Sequence, residues 1–293
     1  CHVSVLNRGT KSLEPGIEQI SCDRNNPEQL KAALQNRHFD AVIDVSWKNP
    51  KWAEFLCDAL CFDGVKVFTF ISSSAVYDVD HLFPPYKETD PLAPNKYWTA
   101  YGAEKIEAEA YYKSFFSDKP ARLVILRPPY VYGEDNYAQR ESLMFKHLCE
   151  GEPILIPKNN SKLQFIHVKD LAQIVYALSE NGREKVSIYN VGNKEPLTAK
   201  EWVEACAKAA GVLPRILPCD YQTLGRSERD FFPFYDYDNV LDVKKIKSII
   251  SQEIPMEEGL ASAYRWYQRN KEQIEFNPGV EANIRELLHE LRT

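Results

Sequence analysis

Three hydroxyl residues in a row, Ser72, Ser73 and Ser74, follow the strand-like run "VKVFTFI" in "FISSSAVY". Further along, Tyr101 and Lys105 in "YGAEK" are four residues apart, so on a helix they share one face. A phenol titrating near pH ~10 is a poor base at neutrality unless a neighbouring cation favours its ionised form. A lysine one turn away supplies that charge, and a serine hydroxyl can steady a substrate oxygen while a proton moves. Each signal alone has a plainer reading. Small polar residues also end strands and open loops. Tyr267 and Lys271 in "YQRNK" repeat the spacing on what reads as an ordinary surface helix.

The elements that must gather these groups show in the period of the apolar residues. Strands are expected at "HVSVLN", "IEQISCD", "FDAVIDVSW", "VKVFTFISS" and "ARLVILRP", and helices at "PEQLKAALQNR", "NPKWAEFLCDALCF" and "TAYGAEKIEAEAYYKSFF". Near-continuous apolar strands alternating with helices imply a parallel sheet covered on both faces, joined by right-handed crossovers. The expected fold class is therefore α/β, a doubly wound parallel sheet. Ligands of such sheets sit beyond the carboxyl ends of the strands, where the three serines fall. "PILIPKNNSK" reads as a loop leaving the sheet, "LQFIHVKDLAQ" as its return, and the chain from Pro196 onward as mainly helical. "CDYQTLGRSERDFFPFYDYDN" reads as a connection and "IRELLHELR" as a polar terminal helix.

With 293 residues and 44% hydrophobic content the chain can bury a large core. No stretch reaches the ~18 apolar residues of a membrane span, and the start has no basic-then-apolar signal layout, so a soluble, cytoplasmic protein is expected. The formal charge of −6 argues against a general nucleic-acid binder, since the Lys cluster "KKIK" is short. Seven cysteines without paired CxxC spacing suit free thiols in a reducing compartment. Cys57 and Cys61 have no His at ligand spacing, so no metal is expected, and His147 reads as helix packing.

Taken in order, these motifs resemble the extended short-chain dehydrogenases/reductases, the NAD-dependent epimerases and dehydratases that act largely on nucleotide sugars. "VLNRG" is similar to the family's second strand and turn, "FISSSAVY" to its active-site strand, and "YGAEKIEAE" to its Tyr-Lys helix. "LRPPYVYGEDN" is similar to the segment that closes on the nicotinamide, and "FIHVKDLAQIVYAL" and "YNVGNKEPLTAKEWVEACAKAAG" continue the likeness. The resemblance implies a Rossmann-like domain over 1–127 with 161–195, and a smaller, mainly helical substrate lobe over 128–160 with 196–293.

The resemblance also implies roles. Ser73 would be the catalytic hydroxyl, with Ser72 toward the cofactor and Ser74 toward the substrate. Tyr101 would be the acid/base, and Lys105 would hold the nicotinamide ribose. Asn7, Arg8, Asp23, Val45, Ser46 and Pro128 would line the cofactor. Asn136, His167, Arg226 and Arg229 would face the substrate, the arginines toward its phosphates. An acidic residue ends the family's second strand and selects NAD. Here Asn7-Arg8 stands instead, and an arginine suits a ribose 2′-phosphate, so NADP is slightly favoured over NAD.

Two departures follow. The family's Gly-rich turn, whose backbone N–H groups meet the pyrophosphate, is absent, since no two glycines lie closer than Gly9 and Gly16. The sequence opens on what resembles the second strand, so the first strand and helix are expected to be missing from it. Second, Ser74 and Ala75 stand where nucleotide-sugar 4,6-dehydratases carry Asp and Glu, so dehydration is disfavoured against epimerisation or reduction. A homodimer through the Tyr-Lys helix is expected. "YGEDNY", "EGEPILIP" and "FPFYD" also resemble the atypical branch with the chloroplast stem-loop-binding proteins. That leaves an RNA-binding or regulatory protein without turnover as the alternative.

Overall fold

The computed structural model describes residues 1–10, 13–45, 49, 51–182 and 184–291. Its first half runs β1 (Val3–Asn7), β2 (Ile17–Ser21), α1 (Pro27–Leu34), β3 (Ala41–Asp44), α2 (Lys51–Ala59), β4 (Val67–Ile71), α3 (Thr99–Phe115) and β5 (Arg122–Arg127). There follow β6 (Tyr130–Tyr132), α4 (Arg140–Cys149), β7 (Ile154–Pro157), β8 (Lys162–Leu163), β9 (Phe165–His167), α5 (Val168–Asn181) and β10 (Val186–Asn190). The chain ends with β11 (Leu197–Thr198), α6 (Ala199–Ala210), β12 (Ile216–Cys219), α7 (Lys244–Lys247), α8 (Met256–Asn270) and α9 (Pro278–Glu290). No helix among the described residues is long and apolar enough to cross a membrane.

The chain forms two compact units. The first holds Cys1–His81, Asp90–Arg127 and Ala177–Tyr189, and the second Leu82–Thr89, Pro128–Tyr176 and Asn190–Thr293. Residues 82–89, 161–176 and 190–195, expected from the sequence in the first domain, fall in the second unit.

In the first unit the central sheet has the order β10-β5-β4-β3, with β3, β4 and β5 parallel. This is the parallel α/β sheet expected from the alternating pattern. β4 and the middle of β5 are largely apolar because both faces are covered, whereas Ile43 of β3 is 51% exposed. Phe68, Phe70, Leu123 and Ile125 share a core with Leu30 and Leu34 of α1, Leu56 and Cys57 of α2, and Tyr112 and Phe116 of α3. Val67, Val124 and Leu126 are equally buried on the alternate positions. The parallel pair β1–β2 forms a separate two-stranded sheet. Among the described residues neither β1 nor β2 is hydrogen-bonded to the central sheet, and β3 is that sheet's edge. Side chains alone join the two sheets: Leu6, Ile20 and Cys22 share the core above, and Arg24 beyond β2 pairs with Asp44 of β3 at 2.7 Å.

The second unit corrects several sequence expectations. "PILIP" is not loop but β7, which pairs in parallel with β12. β9 pairs with β6 rather than returning to the central sheet. The aromatic "connection" is core, since Phe232 and Phe234 pack edge-on against the fully buried Trp202 of α6. Tyr267 is only 6% exposed, so "YQRNK" is not a surface copy of the Tyr-Lys pair. α6 starts on a Thr198–Glu201 capping box and stops at Gly211, whose φ of 72° is the left-handed conformation glycine accepts without cost. In α8, Gly259 lets the helix backbone rest on Tyr132 and His167, where a Cβ would stand 2.8 Å from the His167 ring.

Candidate functional site

Beyond Ile71 the chain leaves β4 into a 3-10 turn, Ser74–Val76, and the three serines take three different tasks. Ser72 donates to a carboxylate oxygen of Glu109 at 2.6 Å and faces the interior. Ser73 caps the turn, its hydroxyl oxygen accepting from the Ala75 N–H at 3.1 Å, which leaves its own O–H free to donate. Ser74 is 2% exposed. The plainer reading of the cluster as a strand terminator is thus true of Ser73's backbone role, and compatible with a second task for its proton.

Tyr101 is half-buried on the first turn of α3, with its ring against Trp98 at 5.6 Å. The Lys105 ammonium lies 6.0 Å from the Tyr101 ring centroid and 4.7 Å from that of Phe70. It donates to the Ile71 carbonyl at 2.6 Å. The i, i+4 spacing and the end of β4 therefore bring Tyr101, Lys105 and the serine turn into one neighbourhood. Burial lowers the Lys105 pKa to about 8, against the pull of Asp44 and Glu109, while Arg24 adds to the lowering.

That shift makes a stability statement. A lysine whose folded pKa is depressed destabilises the fold below that pKa, and stability rises as pH climbs from about 8 toward the ordinary 10.5. The difference of roughly 2.5 units corresponds to about 3 kcal/mol at most. Lys105→Met should lack this rise, so its stability advantage over wild type at pH 7 should shrink by about that amount by pH ~11. Urea midpoints of both proteins at the two pH values check it; a constant difference would show that the ammonium is not buried.

A layer of buried charge lies behind this neighbourhood. Glu109, one turn past Lys105, receives Arg127 Nε and Nη2 at 2.9 and 2.7 Å, and Arg127 Nη1 donates to the Tyr77 hydroxyl at 3.0 Å. Burial alone would raise the Glu109 pKa, but Arg127, Ser72 and Lys113 hold it below the ordinary range. Asp44 is gripped by both Arg24 Nη atoms and by the Tyr112 hydroxyl. None of Glu109, Arg127 and Asp44 was singled out from the sequence. Their only linear signal is that a glutamate continues the i, i+4 stripe from Tyr101 and Lys105.

Of the residues expected around a dinucleotide, Asn7, Arg8, Asp23 and Val45 lie at strand ends of the first unit. Asn7 closes β1, its Oδ1 accepting from Gly9 N and Gln19 Nε2, both at 2.8 Å. Arg8 is exposed. Asp23 is exposed beyond β2, and bonds from Asn25, then the Arg8 charge, keep its pKa low. Val45 is 66% exposed past β3, and Ser46 lies outside the described residues. The glycines offer no turn for a dinucleotide's pyrophosphate.

The residues read toward a substrate lie in the second unit, where buried Pro128 also falls. Asn136 shapes the approach to α4, donating to Glu141 at 2.7 Å and accepting from Ala138 N at 3.1 Å. His167 is 1% exposed. Its Nδ1 accepts from Lys169 N at 3.2 Å and its Nε2 lies 3.6 Å from Glu134, so it fixes the start of α5. Arg226 is engaged by Glu286 at 3.0 Å and Glu290 at 3.3 Å. Arg229 is exposed on a cleft with Gln139, Leu143, Phe232 and Phe276. Arg140, which the sequence reading missed, stacks over Tyr130 at 5.3 Å and Phe234 at 5.7 Å with its Nε unpartnered. Among the described residues neither Arg140 nor Arg229 is paired with a carboxylate. His147 packs between Glu152 and Glu281, and Lys146 reaches both Glu281 and Glu150. These groups tie α4 to α9 through Glu281.

The sequence profile of the NAD dependent epimerase/dehydratase family matches residues 2–192. A chloroplast stem-loop binding protein of 41 kDa from Arabidopsis thaliana is 28% identical over 254 residues, covering 85% of this chain and 64% of the relative. UDP-arabinose 4-epimerase 1 of the same plant is 27% identical over 237 residues, covering 73% of this chain and 54% of the relative. The chain thus spans less than two thirds of either relative's length. Among solved structures, UDP-glucose 4-epimerase of Thermotoga maritima with UDP-glucose superposes with a TM-score of 0.75 at 17% identity, covering 92% of this chain and 91% of that one. The Thermus thermophilus UDP-glucose 4-epimerase complex with NAD gives 0.71 at 20% identity, covering 91% of each.

Proposed function

This chain belongs to the NAD dependent epimerase/dehydratase family, and from that membership we propose that it inverts one carbon of a nucleotide sugar with Tyr101 as acid/base. The observation that carries the proposal is the gathering of Tyr101, Lys105 and Ser73 at the carboxyl end of β4. Tyr101 takes the proton of the substrate hydroxyl. Ser73 donates its free O–H to the same oxygen. Lys105, charged at neutral pH and held over the rim of β4, favours the phenolate of Tyr101 and reaches the ribose beside it. A bound nicotinamide supplies the hydride acceptor and donor. Exposed Arg8, with no carboxylate ending β1, suits NADP.

Within the second unit, Arg140 and Arg229 have no carboxylate partner among the described residues and suit a diphosphate, whereas Arg226 is already matched by two glutamates. Epimerisation is preferred to dehydration because Ser74 and Ala75 put no carboxyl group on the serine turn. The test supplies the protein in its full native length with NAD or NADP and either UDP-glucose or UDP-arabinose. Conversion to the C4 epimer supports the reading; no conversion and no nucleotide binding would sink it.

A second reading, RNA binding on the same scaffold, draws on one observation, the 28% identity to a stem-loop binding protein over 85% of the chain. The net charge of −6 weighs against it. An RNA binder would hold stem-loops with an affinity that falls with salt and is indifferent to Tyr101→Phe.

A further inference from the structure

The geometry points to Asn95 as a positioning residue that registers the serine turn against the N-terminus of α3, fixing how Ser73 and Tyr101 converge on one substrate oxygen. The inference rests on the reading of Tyr101 as acid/base given above. Asn95 is 4% exposed and its amide is saturated. Nδ2 donates to the carbonyls of Ala75 and Tyr77, both at 3.1 Å, on the turn that carries Ser73 and Ser74. Oδ1 accepts from the N–H groups of Tyr97 at 3.1 Å and Trp98 at 3.0 Å, which lead into the Tyr101 helix. The Asn95 carbonyl accepts from Thr99 N at 2.9 Å. Two donors and two acceptor sites on one short planar group are what this joint uses, and among side chains of this length only asparagine carries them.

Two other features mark the same joint. Gly102 brings the α3 backbone onto the turn, where a Cβ would stand 2.6 Å from the Ala75 carbonyl oxygen. Thr99, a β-branched residue, sits at φ 31°, a left-handed conformation that costs energy and persists only where the surroundings over-determine it. Asn95 bonds the two residues that lead into Thr99 and the Thr99 N–H itself. The returning segment is already paired to the turn, Ala93 N donating to the Val76 carbonyl at 3.1 Å, and Asn95 is the side chain that bonds the turn on one side and the entry to α3 on the other, holding a distance that proton transfer needs within a few tenths of an ångström.

Asn95→Asp separates the two halves of the clamp. It retains the acceptor for Tyr97 and Trp98, and places a carboxylate oxygen against two carbonyls that had been bonded. With the full-length protein, NAD or NADP, and whichever of UDP-glucose and UDP-arabinose the wild type converts, kcat should fall at least ~30-fold with KM within about twofold. Amide exchange at Ala75–Tyr77 should accelerate ~10-fold or more while Tyr112 and Phe116 keep their protection. An unchanged kcat, or a loss confined to KM, overturns the positioning role. Unchanged exchange at the turn overturns the clamp itself, and this arm needs no turnover, so it decides even where the wild type proves inactive on both sugars and the proposed function fails. If Asn95→Asp does not fold, Asn95→Ser, which keeps an acceptor and adds no charge, is read by the same criteria.

Discussion

Glu109→Gln should cost about 3–5 kcal/mol of stability, because it leaves the Arg127 guanidinium buried without its counter-charge. Arg127 is 1% exposed and Glu109 fully enclosed, so no water can replace the lost carboxylate. The wild-type pair is not thereby a large net stabiliser. Removing both charges, as in Glu109→Gln with Arg127→Met, should recover part of the loss, since no unpaired charge is then left buried. Urea unfolding of the two single variants and the double variant forms the required cycle. Additive losses would show that the two groups do not interact as their 2.7 and 2.9 Å bonds indicate. The pH dependence has a definite sign. A carboxylate held below its ordinary value of 4.5 contributes stability above that value and loses it as pH falls through the lowered one. Wild type should therefore lose its margin over Glu109→Gln in acid.

Tyr101→Phe should lower the epimerisation rate about 10²–10⁴-fold, the span general acid–base catalysis contributes, with the fold unchanged. Tyr101 is half-buried at the start of α3, so deleting one hydroxyl opens no cavity. The wild-type rate should also fall as pH rises through about 8, where Lys105 gives up the charge that favours the phenolate. Nucleotide binding measured by fluorescence separates loss of chemistry from loss of cofactor. A Tyr101→Phe protein that still converts substrate at the wild-type rate would remove Tyr101 from the mechanism, and with it the main support for the proposed reaction.

Local grammar made one part of this site readable and tertiary placement hid the other. Ser73, Tyr101 and Lys105 could be found because a strand end and an i, i+4 helix pair are periodic features, and their neighbourhood follows from the crossover between β4 and α3. Glu109 and Arg127 could not, since their meeting depends on α3 lying over β5, and charged residues on a helix or strand ordinarily read as solvated. Asn95 stood in a Pro-rich stretch that reads as a linker, where an asparagine looks like a turn former. In the second unit the strands are two to four residues long, too short to show a period, and β7 was read as loop for that reason. The aromatic run from Phe231 to Phe234 carries no period either, and its burial under Trp202 appears only once α6 is in place.

The separation of β1–β2 from the central sheet sets an order of opening within the first unit. A two-stranded ribbon is marginal by itself, and this one is anchored by side chains rather than by a shared backbone ladder. In this chain of 293 residues its amide protons should exchange with solvent ahead of those in β4 and β5, whose ladders are shared with neighbouring strands.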